Sequence, residues 1–232
     1  MDARWIDVSS DDGKSFKAYL STPPTGKGPG IVLIQEIFGV NAHIQAVADQ
    51  WALDGYLVLA PDIFWRVQSG VNLGYSESDM QRGFAIMQQM NQQQAIADIA
   101  SSVRFLRQSA HACYRVASLG FCMGGLLSFL AAADAKVDAA VCYYPGGIGE
   151  KLSVVERIHC PLLVHFAEQD CFIPTQEIEA TKQALATHAQ ASVYGYPGVE
   201  HGFNCWQRAS YHQPSAALAR GRSLSFLSAC LN

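Results

Sequence analysis

Residues 116–133, VASLGFCMGGLLSFLAAA, decide how the rest of the chain is read. The first part is a short, near-continuous apolar run, which suits a parallel strand covered on both faces. The second part is an apolar helix, and the junction between them is Gly120-Phe121-Cys122-Met123-Gly124. This G-x-C-x-G is the nucleophile-elbow pattern, with cysteine where serine usually stands. A strand-to-helix turn this tight strains the backbone of its central residue, and side chains two positions to either side would clash. The following helix aims its first amides at the turn, which favours a thiolate or an oxyanion there. Alone, the same five residues also fit a buried structural cysteine in a glycine-rich turn. Their context has to separate the two.

Outward from this stretch, apolar runs at residues 30–35, 56–60, 139–144, 162–166 and 192–196 read as further parallel strands. Residues 17–21 are expected as an antiparallel edge strand. Helical spacing covers residues 42–54, where Ile44, Val47, Ala48, Trp51 and Ala52 share a stripe that stops at Gly55. Two helices joined near Asn91 are expected within residues 78–108, and further ones over 124–133, 176–188 and 215–231. Strand–helix alternation without linker or repeat predicts one α/β domain, residues 1–232, built on a mainly parallel sheet. Ligands bind such sheets beyond the carboxyl ends of the strands.

Composition narrows the function. The 232 residues are 50% hydrophobic and 16% charged, with a formal charge of −4 and no basic run, which argues against a nucleic-acid or polybasic membrane surface. No apolar stretch approaches the roughly 18 residues of a membrane span. The opening MDARWIDVSS has acids where a signal peptide needs a basic head. Seven cysteines cannot all pair, and no C-x-x-C occurs among them. A cytoplasmic protein with reduced thiols, no metal and no cofactor is the expectation. Cys142 and Cys171 read as small buried hydrophobes, while Cys113, Cys160 and Cys230 show no visible chemistry.

Partners for Cys122 follow in the order nucleophile, acid, histidine. Asp170 comes just after the strand at 162–166, and His201 just after the one at 192–196. Glu168 is a rival acid, and Asp138 a weaker one because it opens its strand. The remaining histidines read as surface or hydrogen-bonded residues, and none has a metal-ligand spacing. Gln35-Glu36-Ile37-Phe38-Gly39 follows the first central strand. From that position the backbone N–H groups of Ile37 and Met123 are the candidate oxyanion hole. Glu36 is unusual there, and a carboxylate tied to local amides or to an arginine is its plainer reading.

With these pieces in place, the sequence resembles the dienelactone hydrolase family. The matching residues are Gln35 through Asn41, Ala60-Pro61-Asp62, Gly120 through Gly125, Gln169-Asp170 and Glu200-His201-Gly202-Phe203. The resemblance implies a monomeric α/β-hydrolase fold, a single mostly parallel twisted sheet with helices on both faces, and the triad Cys122, Asp170 and His201. It also implies that Glu36 takes the thiol proton when substrate binds, so that the thiolate exists only on demand. Its substrates are enol-lactones of aromatic-compound breakdown that carry a carboxylate held by two arginines. Arg82 matches the first; the second position is occupied by Cys205, and Arg208 is the candidate replacement. Phe38, Phe64, Trp65, Tyr143, Tyr144 and Phe203 are expected to set the pocket width, with Phe38 and Tyr144 against the substrate. A related esterase or lactonase is the near alternative. A thiol redox protein using Cys122 and Cys205, and a binding module that has lost activity, are the distant ones.

Overall fold

The structure, a computed structural model, describes residues 1–109 and 112–231, with side chains left undescribed at 112–114. His111 and the side chain of Cys113 therefore lie outside the described residues. Among the described residues there are eight strands: β1 (Asp2–Ser9), β2 (Ser15–Thr22), β3 (Gly28–Ile34), β4 (Leu57–Pro61), β5 (Ala112–Phe121), β6 (Ala139–Tyr143), β7 (Leu162–Ala167) and β8 (Ala191–Tyr196). They form one sheet in the order β1-β2-β4-β3-β5-β6-β7-β8. Strands β3 to β8 run parallel, and β1 and β2 join antiparallel at one end. The helices are α1 (Ala42–Leu53), α2 (Glu77–Gln89), α3 (Gln92–Gln108), α4 (Met123–Asp134), α5 (Thr175–Leu185) and α6 (Gln213–Leu231), with a 3₁₀ segment at Ile148–Arg157. Helices α3 and α4 pack together on one face of the sheet. On the other, Arg220 of α6 lies over Trp51 of α1 and pairs with Asp54. The result is the α/β-hydrolase architecture.

Local chemistry accounts for these elements. Ile31 through Ile34 are fully buried, as a strand sandwiched between helix layers must be. The α1 stripe of Ile44, Val47, Ala48, Trp51 and Ala52 is buried, and Asn41 caps the helix by accepting the Ile44 N–H at 3.2 Å. Ser76 and Asp79 form a reciprocal capping box at the start of α2. One expectation fails. The strand at residues 17–21 lies between β1 and β4 rather than at the edge, and the edge is the N-terminal segment itself. That segment carries Asp2, Arg4 and Asp7, and charge is how an exposed edge avoids pairing with another chain.

Two neighbouring strands leave the sheet in opposite directions. From β3 the chain crosses to β4 on one side, and from β5 to β6 on the other. The carboxyl ends of β3 and β5 thus flank a topological switch point, where such sheets open a crevice. Glu36 and Ile37 follow β3, and Cys122 follows β5.

Behind the crevice lies a buried polar knot. Ser223 Oγ donates to the Ala219 carbonyl at 3.0 Å, so it accepts from Tyr143 Oη–H at 2.8 Å and from His165 Nε2–H at 2.9 Å. Tyr196 Oη–H then donates to His165 Nδ1 at 2.9 Å, which leaves a neutral, fully satisfied imidazole. Burial lowers the His165 pKa to about 3, and burial with the nearby Arg208 charge lowers that of His43 to about 4. The unfolded chain protonates both near pH 6.5. Stability is therefore complete above that value and lost as pH falls toward 4, by about 1.4 kcal/mol per pH unit for each histidine. Urea denaturation stepped from pH 7 to pH 4 should show this slope, and His165→Gln should reduce it.

Candidate active site

Cys122 occupies the elbow with φ 55° and ψ −120°, a left-handed conformation that a side chain seldom adopts. Its amide donates to the Tyr143 carbonyl at 3.0 Å, which pins the turn to β6. The flanking glycines are required by contact. A methyl group on Gly120 would sit 1.9 Å from the Gly124 carbonyl oxygen, and one on Gly124 would sit 2.4 Å from that of Ile34. Met123 opens α4, so its amide has no acceptor within the helix. The Ile37 amide likewise donates to no acceptor among the described residues. Both residues line the cavity onto which Cys122 opens.

Asp170 and His201 meet as their strand-end positions require. His201 Nδ1 lies 2.7 Å from Asp170 Oδ2, with both side chains almost wholly buried. Asp170 Oδ1 accepts the Phe172 N–H at 2.8 Å, which fixes the carboxylate from its other side. The loops are laced together: Glu168 N donates to the Tyr196 carbonyl and Gln169 N to the Val199 carbonyl, each at 3.0 Å. His201 Nε2 is buried without a conventional hydrogen-bond partner. Burial alone would lower the pKa of this ring. The negative charge available on the Cys122 sulfur and the Asp170 hydrogen bond outweigh it and push the value up to about 10. Imidazolium is thus the natural counterion of a Cys122 thiolate. The rival acids stand elsewhere: Glu168 is exposed, and Asp138 pairs with Arg107 at 2.7 Å.

Glu36 is 1% exposed. Its Oε1 lies 3.4 Å from Arg208 Nη1, and its Oε2 has no hydrogen-bond partner. Burial raises its pKa, although Arg208 and His201 pull the other way. Glu36 is therefore paired with an arginine, as its plainer reading has it. Arg208 reaches it over Gly202, where a methyl group would meet Nη1 at 2.4 Å. Cys205 is buried near Glu36 and against the Tyr75 side chain, and burial pushes its thiol up to about 11, which makes it a poor resolving cysteine. Tyr144 is fully buried with its hydroxyl unpartnered, and its ring stands edge-on to His201 at 4.9 Å. Two further residues depart from expectation. His43 is buried inside α1 with Nδ1 unpartnered and its ring 4.2 Å from that of Trp206, and Cys171 is exposed.

Above Cys122 is a cavity of about 350 Å³. Phe38 is on its wall, but the other aromatics expected there are not. Phe64 is core, Trp65 donates to Asp98 at 2.8 Å, Tyr143 belongs to the His165 knot, and Tyr144 and Phe203 pack behind His201. Arg82 is the largest departure: it is exposed and does not line the cavity. Helical geometry explains this. Met80, Gly83, Phe84 and Met87 follow the i, i+3, i+4, i+7 spacing of a single face, and Arg82 points away from it. A methyl group on Gly83 would sit 2.6 Å from the Ile37 carbonyl oxygen, so this is the face pressed against the loop after β3. The wall residues Met80, Phe84, Met87 and Phe172 were missed in the sequence, although that spacing signals three of them. Among the described residues no group of His, Cys, Asp and Glu could hold a metal ion, and no helix is long and apolar enough to cross a membrane.

Comparison with known proteins agrees with this geometry. The sequence model of the dienelactone hydrolase family matches residues 16–231. The chain belongs to that family. Its relatives include the carboxymethylenebutenolidase of Pseudomonas putida, 32% identical over 96% of this chain and 94% of that protein. Another is carboxymethylenebutenolidase 1 of Cupriavidus pinatubonensis, 26% identical over 96% and 95%. A Klebsiella pneumoniae crystal structure, provisionally named a dienelactone hydrolase, superposes with a TM-score of 0.87 at 27% identity over 98% of both chains. An esterase of Pyrococcus furiosus shares the fold at a TM-score of 0.75 and 14% identity, over 100% of this chain and 93% of its own. As a dienelactone hydrolase family member, the chain is a hydrolase of the ester and lactone class.

Proposed function

We propose that the chain hydrolyses an enol-lactone such as dienelactone, or a related ester, through a thioester on Cys122. The observation that carries this reading is the 2.7 Å contact between His201 Nδ1 and Asp170, with the Cys122 side chain beside the same ring and both residues on the cavity wall. Once Cys122 is acylated, its charge no longer raises the His201 pKa, and Asp170 then holds the tautomer in which Nδ1 keeps its proton and Nε2 is free to accept one. In the first step the thiol proton passes to Glu36, whose burial raises its basicity and whose Oε2 is available. Cys122 Sγ attacks the carbonyl carbon, and the Ile37 and Met123 amides take the charge of the tetrahedral oxygen. The carbon–oxygen bond then breaks, and the ring oxygen leaves as an enolate. Water gives its proton to His201 Nε2 and adds to the thioester carbon; the carbon–sulfur bond breaks and the carboxylic acid departs. The enolate takes the proton from the His201 imidazolium, and Glu36 returns its proton to the Cys122 thiolate.

The triad, Glu36 and both oxyanion amides come together within one chain, so the proposed enzyme needs no second copy to complete its site and is taken to act as a monomer. The six described cysteines are free, which supports a reducing, cytoplasmic setting. The second thiol of the redox alternative, Cys205, is buried and held protonated, which disfavours that reading. The test is steady-state hydrolysis of dienelactone and simple aryl esters before and after treatment with iodoacetamide. One equivalent on Cys122 should abolish turnover. Glu36→Gln should lower kcat/KM by roughly 10² and slow the alkylation, because it removes the proton acceptor. Full activity after stoichiometric alkylation of Cys122 would sink the thioester route.

A further inference from the structure

Gln35 and the segment Ala60-Pro61-Asp62 take no part in the proposed reaction, yet the structure ties them together. Gln35 is wholly buried, and its side-chain amide is used at both ends. Oε1 accepts the Ile63 N–H at 3.3 Å, and Nε2 donates to the Glu36 carbonyl at 3.4 Å. The reversed amide would set donor against donor and acceptor against acceptor, so its orientation is fixed. The anchor is rigid. Asp62 is buried beside Ile63, and its carboxylate accepts the Phe64 N–H at 3.1 Å and the Gly70 N–H at 2.7 Å. Its own amide donates to the Lys17 carbonyl at 2.9 Å.

The carbonyl that Gln35 holds belongs to the Glu36–Ile37 peptide, whose N–H is one of the two candidate oxyanion donors. A trans peptide is planar, with C=O and N–H pointing in opposite directions, so fixing one end aims the other. Among the described residues no other hydrogen bond reaches the Glu36 carbonyl. The backbone of Gln35 is placed as closely as its side chain. A methyl group on Gly124 would sit 2.5 Å from the Gln35 carbonyl oxygen. Gly124 follows Met123, the source of the second donor. One residue thus abuts the start of α4 and holds the peptide that faces it.

We propose that Gln35 is a positioning residue of the oxyanion hole, orienting and polarising the Ile37 N–H through the Glu36 carbonyl. The inference rests on the hydrolase reading above and adds a residue to that same site. At 3.4 Å the resting bond is long for N–H···O. Negative charge accepted by the Ile37 N–H makes the carbonyl of the same peptide a stronger acceptor, and the Gln35 bond strengthens with it. The stabilisation therefore grows as the tetrahedral oxygen forms, and it speeds acylation rather than tightening substrate binding.

Gln35→Met keeps the length of the side chain and removes both hydrogen bonds. Two reactions of Cys122 are compared between this variant and wild type. Acylation by p-nitrophenyl acetate, read as kcat/KM, passes through a tetrahedral oxyanion. Methylation by methyl iodide, followed on the Cys122 peptide by mass spectrometry, needs the same thiolate. There the sulfur displaces iodide from carbon and no oxyanion forms. Loss of a whole oxyanion donor costs roughly 10²–10³ in rate, and loss of its restraint should cost about tenfold. A fall in kcat/KM of at least about fivefold is expected, with the methylation rate within about twofold of wild type. A smaller fall, or a larger change in methylation, overturns the proposal and leaves the hydrolase reading standing. If Gln35→Met does not fold by circular dichroism, Gln35→Leu is judged by the same criteria. Failure of both to fold makes Gln35 a folding residue and overturns the proposal. Ester turnover that survives Cys122→Ala overturns the hydrolase reading and this proposal with it.

Discussion

Cys122→Ala should lower kcat by about 10⁴ or more, to the level that binding and the oxyanion amides can sustain without a nucleophile. The protein should otherwise be unchanged. The sulfur caps no backbone group of α4, so its removal costs no such hydrogen bond. Alanine also keeps the Cβ, so the left-handed backbone at this position is neither newly strained nor relieved. Thermal unfolding of the variant should therefore superpose on wild type while turnover disappears. The combination matters, because inactivity from misfolding would shift both. Turnover within tenfold of wild type would remove Cys122 from the reaction.

Asp170→Asn should be nearly as severe, with kcat reduced by about 10⁴. The existing contacts orient the new amide. Its oxygen can keep the Phe172 N–H that Oδ1 now accepts, which directs the NH₂ toward His201 Nδ1. The ring must then accept at Nδ1 and carry its proton on Nε2, which is the wrong tautomer for taking a proton in the cavity. Glu168→Gln is the control, since that residue is exposed and shares the same loop. Its kcat should stay within a factor of two of wild type. Circular dichroism of both variants separates a tautomer effect from a folding one. If Glu168→Gln carried the large loss instead, the acid would have been misassigned.

Features set by backbone geometry were legible in the sequence. The strand at residues 116–121 could run only into a tight elbow, given glycines on both sides of Cys122. Asp170 and His201 were accessible because a parallel sheet gathers its strand ends. What escaped was orientation. Arg82 matched a motif, yet a motif does not say which helical face meets the core; the Met80, Gly83, Phe84, Met87 period does. Tyr143 and Tyr144 were both expected near the substrate, but strand-end residues alternate in direction and both lie buried behind the crevice. Arg208 depends on the turns that run from Gly202 to Tyr211, where Cys205 N donates to the Gly202 carbonyl and Arg208 N to that of Cys205. No pattern in the sequence specifies that path. β1 was hidden by the charges that protect it as an edge.

The contact between Gly83 and Ile37 has a consequence for how this enzyme can change. The helix that walls the cavity and the residue whose amide is proposed to steady the transition state share one close contact. A larger residue on the inner face of α2 would reshape the cavity and, through that contact, shift the Ile37 N–H. On the proposed mechanism selectivity and speed are thus mechanically linked, and adaptation to bulkier substrates would proceed most freely at Met90 and Phe172. Both residues line the same cavity but lie outside α2.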